Sequence, residues 1–223
     1  MIKYYYEDKN KKELSTKIVD IFEENNKCFV RLEDSIFYPQ GGGQKGDRGY
    51  LVIDNQKYNI INSVKDEDYN SVLIMEQKIE EEHIGKGVNC YLDWDFRYRQ
   101  MRLHTSLHIY HALIEGLNGT KLANPLLSTI EDGYAVNKYD ENAFDINILD
   151  AVTKRFKELI KTDTKVVTYP DIEKENYRYW KCMDYIIPCG GIHVDNLNEI
   201  DDVDVVITHK KKAITVKIIL KSA

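Results

Sequence analysis

Two pairs of side chains in this sequence have the chemistry and the spacing to hold a soft or borderline metal ion. His104-Thr105-Ser106-Leu107-His108 sets two imidazoles four residues apart, which on a helix brings them to one face, one turn apart. Pro188-Cys189-Gly190-Gly191-Ile192-His193 supplies a thiol and a further imidazole at the same interval. Its two glycines give the backbone the freedom to wrap both side chains toward one point. Three imidazoles and one thiolate suit zinc, whereas magnesium and calcium take oxygen ligands. A zinc peptidase helix of the thermolysin type needs Glu directly after its first His as general base. Thr105 stands there, so that chemistry is excluded. His111 falls off the His104/His108 line and is read as a non-ligand.

A third feature is Phe37-Tyr38-Pro39-Gln40-Gly41-Gly42-Gly43-Gln44-Lys45-Gly46-Asp47-Arg48-Gly49, with five glycines in one short stretch. So many glycines favour unusual backbone angles and the close approach of a ligand or another segment. The stretch matches neither the Walker phosphate loop nor the dinucleotide fingerprint, and no helical pattern follows it. Cys28 and Cys90 lie in strand-like sequence and read as small buried hydrophobes.

The elements that must position these groups divide near residue 94. Before it, short alternating runs at 14–22, 27–32, 50–53, 58–61, 72–75 and 88–92 read as strands, with a hairpin turn at Asp54-Asn55. Many short strands joined by turn residues imply a small β-barrel over 1–93. From Phe96 to Leu117 apolar residues recur at helical spacing, with Asp95 as the expected N-cap and Gly116 or Gly119 as the expected stop. A second helix is expected over 148–160, and strands at 133–136, 165–168, 203–208 and 213–220. Helices mixed with antiparallel strands make 94–223 an α+β domain whose long helix carries His-x-x-x-His.

The composition is that of a soluble globular chain: 43% hydrophobic and 30% charged residues, with a net charge of −6. No run approaches the roughly 18 apolar residues of a membrane span, and the N-terminus lacks a signal-peptide core, so no membrane partner and a cytoplasmic location are expected. The acidic total argues mildly against a nucleic-acid partner. Against it stands a local basic cluster, Arg97, Arg99 and Arg102, leading straight into the His pair.

Taken in order, these motifs resemble the editing region of alanyl-tRNA synthetase and the free-standing alanyl-tRNA editing proteins of the AlaX type, in their medium-length form. The resemblance rests on the glycine stretch at 37–49, on Asp93-Trp94-x-x-Arg97 with Met101-Arg102-Leu103-His104-Thr105-x-x-His108, and on Pro188-Cys189-Gly190-Gly191-x-His193-Val194 followed by Asn196, Glu199 and Ile200. It implies zinc at His104, His108, Cys189 and His193, and an editing domain without aminoacylation machinery. It also implies hydrolysis, in trans, of tRNA(Ala) mischarged with serine, and of the glycyl form beside it. The family carries a Gln after the first helix; spacing puts Asn124 in that place. It usually has Thr where this chain has Ile192, and an Arg-Phe-aromatic run where this chain has Ala135-Val136-Asn137-Lys138-Tyr139.

An aminoacyl ester is activated, so such a site mainly has to position water and stabilise an oxyanion. Asn124, Gln44 and the backbone amides of Gly41, Gly42 and Gly43 are the expected orienting groups. Thr105 is the first candidate, and Asn124 the second, to bond a serine hydroxyl. The tRNA acceptor end is expected at Arg97, Arg99, Arg102 and the glycine stretch, with Ile192 close to the substrate. Two rival readings use the same residues: a zinc-stabilised RNA-binding module without catalysis, and a hydrolase of other aminoacyl esters.

Overall fold

The computed structural model describes residues 1–221. The chain folds as two compact units: residues 1–41 with 45–97, and residues 42–44 with 98–223. No helix among the described residues is long and apolar enough to cross a membrane.

The first unit is a closed barrel built from β1 (Glu13–Glu24), β2 (Lys27–Leu32), β3 (Gly49–Ile53), β4 (Gln56–Lys65), β5 (Ser71–Met75) and β6 (Gly87–Leu92), preceded by a one-turn helix α1 (Tyr4–Glu7). The strand order is β1-β2-β5-β4-β3-β6, and every pairing is antiparallel, including the β1–β6 pair that closes it. Closure leaves no edge strand, and alternation sends Ile18, Val30, Leu32, Leu51, Leu73 and Cys90 into one core. Two hairpins turn on residue pairs in the left-handed region, Asn25-Asn26 (φ 51° and 59°) and Asp54-Asn55 (φ 49° and 66°). Asn and Asp tolerate that conformation, which makes the two-residue turn match the strand twist. Cys28 and Cys90 are buried, as their strand context implies.

The second unit contains most of the long helix α2 (Trp94–Asn118), a four-stranded sheet and a three-stranded sheet. The four-stranded sheet uses β7 (Leu127–Ile130), β8 (Tyr134–Asp140), β12 (Val203–Lys210) and β13 (Ala213–Leu220), in the order β12-β13-β8-β7. The three-stranded sheet uses β9 (Val166–Pro170), β10 (Arg178–Cys182) and β11 (Tyr185–Pro188), in the order β11-β10-β9. A helix α3 (Leu149–Leu159) buries Leu149, Val152, Phe156 and Leu159 along one stripe.

Helix α2 begins two residues earlier than its apolar pattern indicates. Asp93, not Asp95, caps it: Asp93 Oδ1 accepts the Phe96 N–H at 3.1 Å. At the other end Gly119 takes φ 72° and its N–H bonds Glu115 O at 3.0 Å, a left-handed stop that glycine reaches without a Cβ clash. From Met101 to Ile114 nearly every side chain of α2 is buried, polar ones included. Such a helix is a core element rather than an amphipathic surface one. Strands β7, β10 and β11 lack a sequence signal: β7 and β11 are four residues long, and β10 interleaves charge with aromatic residues.

Candidate metal and aminoacyl-ester site

His104 and His108 leave α2 one turn apart with ring centroids 4.8 Å from each other. The segment after β11 brings Cys189 and His193 to the same point. Cys189 Sγ lies 3.5 Å from His104 Nε2 and 3.4 Å from His193 Nε2. One ligand atom from each of the four residues falls within 4.8 Å of all the others. His111, three residues past His108, is not part of this group.

Two backing hydrogen bonds decide which nitrogen each imidazole presents. Gln44 Oε1 sits 2.9 Å from His104 Nδ1 and also accepts the Ile192 N–H at 3.1 Å. An amide oxygen only accepts, so His104 carries its proton on Nδ1 and turns the Nε2 lone pair toward Cys189. Thr105 Oγ1 donates to Met101 O at 2.9 Å and lies 3.1 Å from His193 Nδ1. With its own proton committed, the hydroxyl accepts from Nδ1–H and turns the His193 Nε2 lone pair toward Cys189 Sγ. Burial holds His104 down to about 3, and pushes His108 well below the ordinary histidine range. Both imidazoles are therefore neutral near pH 7.

Close packing behind the site leaves no room for larger residues. A Cβ at Gly191 would lie 2.1 Å from His104 Cε1, and one at Gly43 would lie 2.7 Å from Ser128 O. Trp180, fully buried in β10, packs its ring 5.0 Å from His108 and 6.0 Å from His193. These contacts limit where the two imidazoles can turn.

His104, His108 and Cys189 line a cavity of about 480 Å³, and His193 is buried behind them. Gly42, Leu107, Asn124, Ser128, Asn137 and Ile187 are among its lining residues. Among these, Asn124 is exposed.

Comparison with known proteins gives this geometry a family. The sequence is 31% identical to the alanyl-tRNA editing protein AlaX-M of Pyrococcus horikoshii, over 89% of this chain and 87% of that protein. The chain belongs to the alanyl-tRNA editing proteins. It is also 31% identical to AlaX-L of Pyrococcus horikoshii over 93% of this chain, and it spans about half of that longer protein (54%). An alanine–tRNA ligase of Metallosphaera sedula is 33% identical over 52% of this chain and 12% of its own length. The family described as tRNA synthetases class II (A) matches residues 3–96.

Against that family pattern, the residues singled out in the sequence separate into groups. His104, His108, Cys189 and His193 converge, and Asn124 and Gly42 line the cavity beside them. Gln44 and Thr105 are fully buried, behind the imidazoles rather than on the cavity wall. Ile192 is also buried; its contribution is the backbone N–H held by Gln44. Arg97 lies in the barrel unit, where it pairs with Asp47 and donates to Ile36 O and Lys9 O. Arg102 is turned inward to Ile200 O at 2.8 Å, and Arg99 bonds Asp132 at 2.8 Å. All three arginines are thus engaged within the fold. Ser128 and Leu107 line the cavity without having been singled out, beside His111, read from the sequence as a non-ligand, and Asn137, named there only within the 135–139 run.

Proposed function

We propose that this chain is a zinc-dependent deacylase that removes serine from mischarged tRNA(Ala) in the cytoplasm, with glycyl-tRNA(Ala) as a second substrate. The observation that carries the reading is a three-His, one-Cys group, three members of which line a cavity shared with the exposed Asn124. The donor set fits zinc. From Zn–N near 2.0 Å and Zn–S near 2.3 Å, neighbouring ligand atoms of a tetrahedral site stand about 3.3–3.6 Å apart. The two N–S separations here are 3.5 and 3.4 Å. Moreover, His108 Nδ1 is buried with no hydrogen-bond partner. Bound zinc would supply a positive charge that organises the site and draws a lone pair of the aminoacyl group toward it.

The remaining work belongs to the chain's own side chains. Asn124 can donate to the ester carbonyl or hold the attacking water, on a stem shorter than glutamine's. Gln44 and Thr105 act at one remove, fixing the tautomers of His104 and His193 so that the ligand set costs no reorientation. Leu107, Pro125 and Ile187 give the cavity an apolar stretch that limits bulk water around the ester. Arg97 and Arg102 serve the scaffold, and Arg99, half-buried and paired with Asp132, is the least enclosed of the three and the candidate to meet the acceptor end. Serine is larger than alanine, so size cannot protect correctly charged alanyl-tRNA(Ala). Polar groups that bond a hydroxyl can, because a methyl leaves them unpaired.

Purified chain incubated with seryl-, glycyl- and alanyl-tRNA(Ala), with and without a zinc chelator, tests the reading. Chelator-sensitive release of serine, with alanine spared and zinc restoring the rate, is the expected result. Zinc-loaded protein that binds tRNA but releases no amino acid would leave the binding-module alternative standing in its place.

A further inference from the structure

One part of the cavity lining carries polar groups that neither the ligand set nor Asn124 uses. Ser128 on β7 and Asn137 on β8 are direct cross-strand partners, and both line the cavity with His111. Ser128 Oγ donates to Asn137 Oδ1 at 2.7 Å, and Asn137 Nδ2 donates to the Tyr139 hydroxyl at 3.1 Å. The Tyr139 hydroxyl lies 3.2 Å from His111 Nδ1, and His111 Nε2 lies 3.8 Å from Glu115 Oε1.

The Asn137 amide sets the direction of the donors in this network. Its Nδ2 can only donate, so the Tyr139 oxygen accepts from it. Burial pushes the Tyr139 phenol up, so it keeps its proton and turns it toward His111 Nδ1. The Asn137 carbonyl faces Ser128 and can only accept, so Ser128 donates. What remains at the cavity end is a hydroxyl oxygen with its lone pairs unspent and an amide with one N–H beyond the one given to Tyr139.

A donor-only group, such as an ammonium, satisfies half of that arrangement. An acceptor-only group, such as a carbonyl, satisfies the other half. A methyl satisfies neither. An alcohol both donates and accepts. We propose that Ser128 and Asn137 form a hydroxyl-recognition subsite that reads the side chain of the esterified amino acid and selects serine over alanine. This rests on the deacylase reading above, and it gives to the β7–β8 pair the contact that the sequence assigned to Thr105, whose hydroxyl is spent on Met101 and His193.

The test uses the full chain with two readouts. The first is kcat/KM on seryl- and glycyl-tRNA(Ala), since glycine has no side chain for the pair to read. The second is the Kd of two unreactive analogues, serine and alanine amide-linked to 3′-amino-3′-deoxyadenosine. Ser128 is exposed on a strand, so Ser128→Ala is compatible with folding. It is expected to lower kcat/KM on seryl-tRNA(Ala) by about 3- to 10-fold, the effect of one hydrogen bond lost in a partly exposed site, and to leave glycyl-tRNA(Ala) unchanged. The seryl-over-alanyl ratio of Kd should collapse toward one, and Ser128→Thr should restore it. Asn137→Asp keeps the acceptor for Ser128 but removes the Nδ2 donor, and should produce the same selective loss. Equal losses on the seryl and glycyl substrates, or an unchanged Kd ratio in Ser128→Ala, would overturn the subsite while leaving the deacylase intact. A wild-type chain that hydrolyses neither substrate and binds neither analogue would overturn the deacylase reading, and the subsite with it.

Discussion

Replacing Gln44 by methionine isolates the acceptor that orients His104. The two side chains have similar volume, and Gln44 is fully buried, so the change removes the amide while keeping the packing. Two donors lose their partner: the Ile192 N–H, held at 3.1 Å, and His104 Nδ1, held at 2.9 Å. Each buried donor left unpaired costs about 1–3 kcal/mol. Against this, Gln44 Nε2 is itself buried without a partner, and methionine removes that cost. In the metal-free protein His104 can also move its proton to Nε2, facing Cys189 Sγ, and so escape the penalty. A zinc-loaded protein would have no such exit, because the proposed ligand atom is Nε2. The stability of the metal-free variant should therefore change by no more than about 1 kcal/mol, while zinc affinity falls about 10- to 100-fold. Competition against a chromophoric chelator measures the affinity, and denaturant unfolding of the metal-free protein measures the stability. Zinc affinity within twofold of wild type would refute the claim that Gln44 sets the tautomer of His104.

Three further outcomes follow from particular contacts. Gly191→Ala places a Cβ 2.1 Å from His104 Cε1 and 2.5 Å from its Nδ1; displacing the ring by about 1 Å should cost about 2–3 kcal/mol and weaken zinc at least 30-fold in the same competition assay. Lys211 and Lys212 turn the β12–β13 hairpin with φ 49° and 60°, so Lys212→Gly should raise the midpoint of thermal unfolding by the equivalent of about 0.5–1 kcal/mol, and a lower midpoint would count against left-handed strain there. Burial pushes the Cys90 thiol from 9.0 up to about 12, so between those pH values the unfolded chain loses a proton that the folded chain keeps. Stability should then fall as pH rises from 9 toward 12, by about 1.4 kcal/mol per pH unit from this group, or roughly 2 kcal/mol by pH 10.5; Cys90→Ala should flatten that slope relative to wild type in alkaline unfolding curves.

The sequence by itself brought out the His/Cys group that could hold a metal ion, and most of the elements beneath it. His104 and His108 share one helix face by periodicity alone, and the Cys189–His193 interval with two glycines needs no tertiary information to suggest a shared point. The barrel strands and the Asp54-Asn55 turn are likewise local signals, because alternation and left-handed turn residues act within a few positions. What Thr105, Gln44 and the arginines do was decided only by the tertiary structure. A polar residue on a core helix reads the same in sequence whether its hydroxyl faces a substrate or the back of an imidazole, and Thr105 faces His193. Arginine spacing likewise suggests a basic surface, yet Arg97 is consumed by Asp47 and Arg102 by a backbone carbonyl. The cap of α2 moved from Asp95 to Asp93 because the apolar stripe of a helix starts later than its hydrogen bonds do. The Ser128–Asn137 pair lay outside the reach of any local pattern. Ser128 sits on a four-residue strand with no periodicity to announce it, and it meets Asn137 only through the β7–β8 register. The pair is tied to Tyr139 and His111, residues that the chain brings together from a strand and a helix, and such non-local convergence is what folding adds to sequence.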